Sequence, residues 1–189
     1  MEELTDEALM AHVARGDRRA FTVLVGRHLD RSVGTVQRML GDAAEAEDVA
    51  QEAFTKLWVY APRWRPDGAK FTTWFYRVLV NSAIDRQRKA RSVPLDSVPE
   101  PFDPRPDAFR QVNDAEVSRH VAAAVAALPD RQRAAVTLCY YQGLGNIEAA
   151  EVLEISVGAL ESLLVRARRA LKERLTLLLG PVLEEEHDV

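Results

Sequence analysis

Arg77, Asn81 and Arg88 are separated by four and then seven positions, which puts them on one side of a helix. An amide there can hydrogen-bond the edge of a base, and guanidiniums can hold phosphates. Trp74, at the border of the same face, adds a flat ring. Phe71, Phe75, Val78 and Ser82 follow three- and four-residue spacing and share another, packed face. A polar face of this kind suits the backbone and bases of opened nucleic acid. Taken alone, the same segment also reads as an amphipathic core helix with a solvated basic end.

The remaining reactive residue types offer no competing chemistry. Cys139 is the only cysteine, and it lies in the apolar run Ala-Val-Thr-Leu-Cys-Tyr-Tyr, so it reads as a small core residue and not as a nucleophile. The histidines at 12, 28, 120 and 187 do not pair at metal-ligand spacing. No nucleotide, cofactor or catalytic constellation is evident, and no enzyme is expected. The chain has no long apolar run and no signal-peptide pattern, so a cytoplasmic protein without membrane insertion is expected.

Charge is distributed unevenly over a chain of net charge −4. Residues 85–91 carry three Arg and one Lys against one Asp, and residues 166–174 carry four Arg and one Lys against one Glu. The acidic residues gather at 42–52 and in the tail at Glu184, Glu185, Glu186 and Asp188. Two short basic patches on an acidic chain point to local phosphate contacts and not to wrapping of nucleic acid.

The elements that must position these residues are helices. Thr5 is placed to cap a first helix that ends at Arg15-Gly16. Asp17 opens a longer one running to Gly41, with Phe21, Leu24, Val25, Leu29, Val36 and Leu40 at roughly helical period. Asp42 caps a third, carrying Val49, Ala53, Phe54, Leu57 and Trp58. Pro62 and Pro66 break the chain before the aromatic segment, and no stretch alternates long enough to predict a strand. Residues 92–112 hold five of the nine prolines and read as a flexible linker. An alanine-rich helix follows at 113–127, and another begins near Pro129. Ile147, Ala150 and Leu153 mark the buried stripe of a short helix. Glu154-Ile155-Ser156 forms a turn with Ser156 as cap, and the next helix buries Leu160, Leu164, Ala167, Leu171 and Leu175. That is the helix-turn-helix plan, with Ser162, Arg166 and Arg169 on the outer face. The expected fold is all-α, with two small helical domains joined by a Pro-rich linker: residues 1–91, linker 92–112, residues 113–180, and an acidic tail at 181–189.

Three blocks in order carry a family resemblance. They are Asp48-Val49-Ala50-Gln51-Glu52-Ala53-Phe54 with Trp58, and Phe71-x-x-Trp74-Phe75-x-Arg77-Val78-x-x-Asn81-x-x-x-Asp85-x-x-Arg88. The third is Leu128-Pro129-Asp130-Arg131-Gln132-Arg133, leading into the helix-turn-helix and Arg166-Ala167-Arg168-Arg169-Ala170-Leu171. Over about residues 5–178, the linker excepted, the chain resembles the extracytoplasmic-function sigma factors, the minimal class of the bacterial sigma-70 family. The resemblance implies a subunit that binds core RNA polymerase, recognises promoter DNA and initiates transcription of a specific regulon, commonly under an anti-sigma factor. It implies polymerase docking by Asp48, Gln51 and Glu52. It implies minus-ten recognition and melting in the segment containing Arg77, Asn81, Arg88, Lys89 and Arg91, with Arg65, Lys70 and Trp64 in the preceding base-capture loop. Trp64 has two readings, a wall for a flipped base or a core anchor of the loop. The linker likewise is either a mimic of single-stranded RNA or a tether.

The resemblance places minus-thirty-five recognition in the second domain, through Glu161, Ser162, Arg166 and Arg169. Here the chain departs from the family, which commonly has a basic residue, Ser and Arg where this chain has Glu161-Ser162-Leu163. Asn146-Ile147-Glu148-Ala149-Ala150 departs as well. Glutamate can accept from cytosine N4, and Leu163 can make only apolar contact, for instance with a thymine methyl. Two other readings remain in the sequence: a sigma-like decoy that titrates an anti-sigma factor, and a conventional helix-turn-helix regulator.

Overall fold

The computed structural model describes residues 1, 3–65, 70–92 and 111–179, and among these it contains helices and no strands. The acidic tail and nearly all of the predicted linker lie outside the described residues. Helix α1 (Asp6–Val13) starts where Thr5 Oγ1 accepts from the Ala8 amide, and α2 (Arg18–Leu40) starts where Asp17 accepts from the Arg19 and Ala20 amides. Gly41 ends α2 in the left-handed region at φ 78°, which a glycine enters without steric cost. Asp42 caps α3 (Ala43–Tyr60), and a 3₁₀ turn at Ala61–Arg63 carries Pro62. Helix α4 (Phe71–Ser92) begins against α1: Glu7 Oε1 accepts from the Phe71 amide at 3.2 Å, satisfying one of the free N–H groups of a helix start. The first helix ends at Val13, slightly before the expected Arg15-Gly16.

The second half runs α5 (Gln111–Ala126), α6 (Asp130–Val136), a π-helical turn (Thr137–Tyr141), α7 (Asn146–Leu153) and α8 (Val157–Leu179). The turn between α7 and α8 forms as the spacing predicts. Glu154 takes a left-handed φ of 54°, Ile155 turns inward, and Ser156 Oγ accepts from the Ala159 amide at 3.2 Å.

The predicted helices form, but several buried faces are rotated from the predicted stripe. In α2 the buried residues are Ala20, Leu24, Ser32, Thr35, Val36 and Met39, while Leu29 is exposed and Phe21, Val25 and Leu40 are half-buried. Ser32 and Thr35 are tolerated inside because their hydroxyls donate to the carbonyls of His28 and Arg31. In α4 the buried line is Phe71, Phe75, Leu79 with Tyr76, Val80 and Ala83; Val78 and Ser82 sit at its margin. In α7, Ile147 is 67% exposed and Ala149 and Val152 are buried with Ala150 and Leu153. A helix packed on two sides must bury a wider arc than one stripe, and these helices have neighbours on more than one side.

The two halves meet. Helices α2 and α4 bear directly on α5, α6 and α7, and the buried side chains of both halves form one connected cluster. The joint is polar at its centre. The Met39 carbonyl, in the last turn of α2, accepts from Gln87 Nε2 of α4 and from Arg133 of α6, and Arg133 Nη2 also donates to the Leu128 carbonyl at 2.9 Å. Arg133 is only 6% exposed. Its charge lies at the C-terminal end of α2, where carbonyls lack helical partners and the helix dipole favours a cation.

Candidate nucleic-acid interface and polymerase-docking face

Helix α4 holds the predicted base-reading face on a rigid base. Phe71 and Phe75 stack at 5.6 Å between centroids, Phe54 of α3 meets Phe75 at 4.9 Å, and the His28 ring lies 5.3 Å from Phe71. Asp6 fixes α1 to α2 by a hydrogen bond with His28 at 2.7 Å and an ion pair to Arg27 at 2.8 Å. With that side packed, Asn81 is left exposed on the outer side. Arg88 is exposed and paired with Asp85 at 3.1 Å, and Lys89 is exposed beside it. Arg91 falls within α4, but its side chain lies outside the described set. Trp74 is half-buried and stacks on Tyr60 at 5.1 Å with an interplanar angle of 15°.

Trp64 is 8% exposed and belongs to the core cluster, which favours the core-anchor reading. The 3₁₀ turn at Ala61–Arg63 turns its ring inward, and neighbouring Arg65 is exposed. The loop residues 66–69 lie outside the described set.

Lys70 and Arg77 do not stand free. Lys70 Nζ makes an ion pair of 2.6 Å with Glu148 Oε1 of α7. That contact and its charge raise the Lys70 ammonium above the ordinary lysine value and lower the Glu148 carboxyl below its own. Arg77 Nη2 donates to the Glu151 carbonyl at 2.8 Å, and its Nη1 lies 3.4 Å from Glu154 Oε1. Nothing in the sequence spacing signals these pairs, because the partners are more than seventy positions apart.

On α3, Asp48, Gln51 and Glu52 are exposed, while Val49, Ala53, Phe54 and Leu57 are buried beneath them. Trp58 is half-buried, edge-on to Phe21 at 5.2 Å. Arg86 of α4, to which the sequence reading gave no role, joins Glu45 at 2.8 Å and Glu52 at 3.0 Å and so braces this face against α4.

On α8, Glu161, Ser162, Arg166 and Arg169 are exposed along one side, as their spacing predicts. Ser162 Oγ donates to the Gly158 carbonyl at 2.9 Å, and Arg169 pairs with Glu173 at 3.0 Å. Leu163 beside them is half-buried and packs against the core. Apolar side chains also stand exposed on α8, among them Val157, Val165 at 58% and Leu177 at 85%.

The comparisons with known proteins bear on both halves. Residues 24–93 match the model described as Sigma-70 region 2, and residues 118–171 match Sigma-70, region 4. The RNA polymerase sigma-H factor of Pseudomonas aeruginosa is 33% identical over 92% of this chain and 95% of that protein. The chain belongs to the ECF sigma factors. The ECF RNA polymerase sigma factor SigW of Bacillus subtilis is 32% identical, over 92% of this sigma factor and 98% of that one. Among solved structures, CnrH in complex with the cytosolic domain of CnrY matches with a TM-score of 0.70 and 28% identity, over 91% of this chain and 97% of that chain. In this sigma factor, most of α2 and all of α3 and α4 fall within region 2, and the second half of α5, all of α6 and α7 and most of α8 within region 4. Among its described residues, no helix is long and apolar enough to cross a membrane.

Proposed function

We propose that the two halves of this sigma factor divide promoter recognition between them. Residues 1–91 dock on core RNA polymerase and read and melt the minus-ten element. Residues 113–180 read the minus-thirty-five element. Asp48, Gln51 and Glu52 form the docking face, acidic and hydrogen-bonding above a packed apolar layer. Asn81 contacts an unpaired base, with Arg65, Lys70, Arg77, Arg88, Lys89 and Arg91 holding surrounding phosphates. Trp64 supports the loop from inside. Glu161, Ser162, Arg166 and Arg169 face the major groove, and the acid among them argues for a base preference different from that of a basic residue at this place. The protein supplies binding and specificity in the cytoplasm, and the chemistry of initiation belongs to the polymerase. A cognate anti-sigma factor is the expected regulator.

The observation that carries this reading is Asn81: an exposed amide on the outer side of α4, whose inner side is locked by Phe71, Phe75 and Leu79. The test is in vitro transcription with purified core polymerase on a pool of genomic promoter fragments. Discrete new start sites are expected. They should vanish with Asn81→Ala and with charge reversal at Asp48 and Glu52. Core binding without transcripts would favour a decoy that titrates an anti-sigma factor, a reading to which the acidic Glu161 lends some support.

A further inference from the structure

We infer that Glu7 is a positioning residue of minus-ten recognition: from α1 it supplies the helix cap that Lys70 cannot give α4, and so fixes where Lys70 presents its ammonium to a phosphate. The inference rests on the promoter-reading role of α4 given above. Lys70 directly precedes Phe71, and its carbonyl accepts from the Trp74 amide at 3.1 Å, so it stands at the cap position of α4. A lysine serves poorly there. Its side chain has no acceptor for the free amides of the first turn, and its charge meets the positive end of the helix dipole. The first turn of α4 holds no acid to compensate. Glu7 brings both missing parts from another helix: its Oε1 accepts from the Phe71 amide at 3.2 Å, and its carboxylate carries negative charge. The Lys70 ammonium is held above the ordinary lysine value first by its bond to Glu148, with Glu151 and Glu7 adding to the effect.

Helix α1 holds that carboxylate in place. Leu9, Met10 and Val13 are buried in the core. Asp6, the residue next to Glu7, reaches α2 instead, meeting His28 at 2.7 Å and Arg27 at 2.8 Å. Arg27 Nη1 also donates to the Leu4 carbonyl at 2.8 Å, just ahead of the helix. Consecutive residues of one turn thus tie α1 to α2 and to the start of α4. The same helix packs on the 3₁₀ turn at Ala61–Arg63. All of α1 lies ahead of the residues matched to Sigma-70 region 2, which begin at 24. Order at the start of α4 decides what Lys70 can do. An uncapped helix start frays, and a frayed first turn carries the Lys70 side chain away from a fixed position relative to Arg77 and Asn81.

Glu7→Gln keeps an oxygen at the same reach and loses the charge, whereas Glu7→Met loses both. Comparing these two uncharged variants separates the cap from the charge. In the full-length chain, exchange of the Phe71 amide followed by NMR should be slow in the parent and in Glu7→Gln, and fast in Glu7→Met. Function is read by fluorescence anisotropy, with core polymerase carrying each variant and a single-stranded oligonucleotide of the non-template minus-ten sequence found in the transcription assay. Glu7→Met should bind roughly three- to tenfold more weakly than Glu7→Gln, the size of a helix cap's contribution. Its slope of log affinity against log salt should also be shallower by about 0.7, one phosphate's share on a single strand, as in Lys70→Met. Ser156→Ala removes the cap of α8 and should change neither readout. If Glu7→Met does not fold, Glu7→Asp, one methylene too short, should show the fast Phe71 exchange in its place. Phe71 exchange equally slow in all variants, or equal affinity and slope for Glu7→Gln and Glu7→Met, overturns the proposal. Phe71 exchange that responds as stated, while not even the parent holoenzyme binds the oligonucleotide, upholds the cap and overturns the promoter reading instead.

Discussion

Replacing Arg133 by methionine keeps most of the side chain's length and apolar stem but removes five N–H donors and a charge. In the structure that guanidinium donates to the Met39 and Leu128 carbonyls and lies 4.0 Å from Asp130. Met39 keeps a second donor in Gln87 Nε2, so its carbonyl is not abandoned. Leu128 loses its donor from Arg133, and an unsatisfied buried carbonyl costs about 1–3 kcal/mol. The hydrogen bond to α2 from a charged donor is worth about 1.5–3 kcal/mol more. Relief from burying a charge offsets part of this, since apolar replacements of buried ions are often tolerated. A net loss of about 3 kcal/mol follows, which for a chain of this length lowers Tm by roughly 6–12 °C. Because Arg133 joins the two halves, the urea transition should also broaden or split, the sign that two-state behaviour has failed. Calorimetry and urea unfolding by circular dichroism measure both effects. Arg131→Met is the control: it is exposed two positions earlier and should change stability by no more than about 0.5 kcal/mol. A Tm fall for Arg133→Met no larger than the control's would refute the assignment of Arg133 as the joint between the halves.

Trp64→Ala should cost about 3–5 kcal/mol by urea unfolding, as expected for a buried aromatic, while Trp64→Phe should retain promoter opening in a permanganate footprint. Loss of opening at full stability would instead make it a base-stacking wall. Val165→Asn should leave Tm within about 1–2 °C and shift the preferred minus-thirty-five sequence in a binding-site selection, because the side chain is exposed on the outer face of α8. The Lys70–Glu148 pair has opposite shifts on its two members, Glu148 lowered and Lys70 raised. Its contribution is therefore present above the unfolded carboxylate value and below the unfolded lysine value. The α4–α7 contact, followed by energy transfer between dyes on Thr55→Cys and Thr176→Cys in a chain carrying Cys139→Ser, should be flat from about pH 6 to 9, loosening only as pH falls through the lowered Glu148 value or rises through the raised Lys70 value. A transition near pH 7 would contradict it. Burial pushes the Cys139 thiol up, so its alkylation by iodoacetamide at neutral pH should be slower than that of a small free thiol and accelerate on unfolding in urea.

The sequence by itself determined the helices, their caps and the family. Thr5, Asp17, Asp42 and Ser156 cap where their side chains can reach an amide two or three residues on, a local interaction that needs no tertiary partner. Asn81, Asp48, Gln51, Glu52 and the outer residues of α8 were legible for the same reason, since helical period alone separates them from the packed side. Periodicity could not say how wide each buried arc is, because that depends on how many neighbours a helix has. Hence Ile147 and Leu29 came out exposed. The burial of Trp64 against the core was likewise not legible in the spacing. Only the tertiary structure decided that Arg133 closes the end of α2 and that Lys70 and Arg77 are held by α7. These pairs join residues far apart in the chain, and pairing at that range is fixed by the way whole helices pack, which no local spacing encodes.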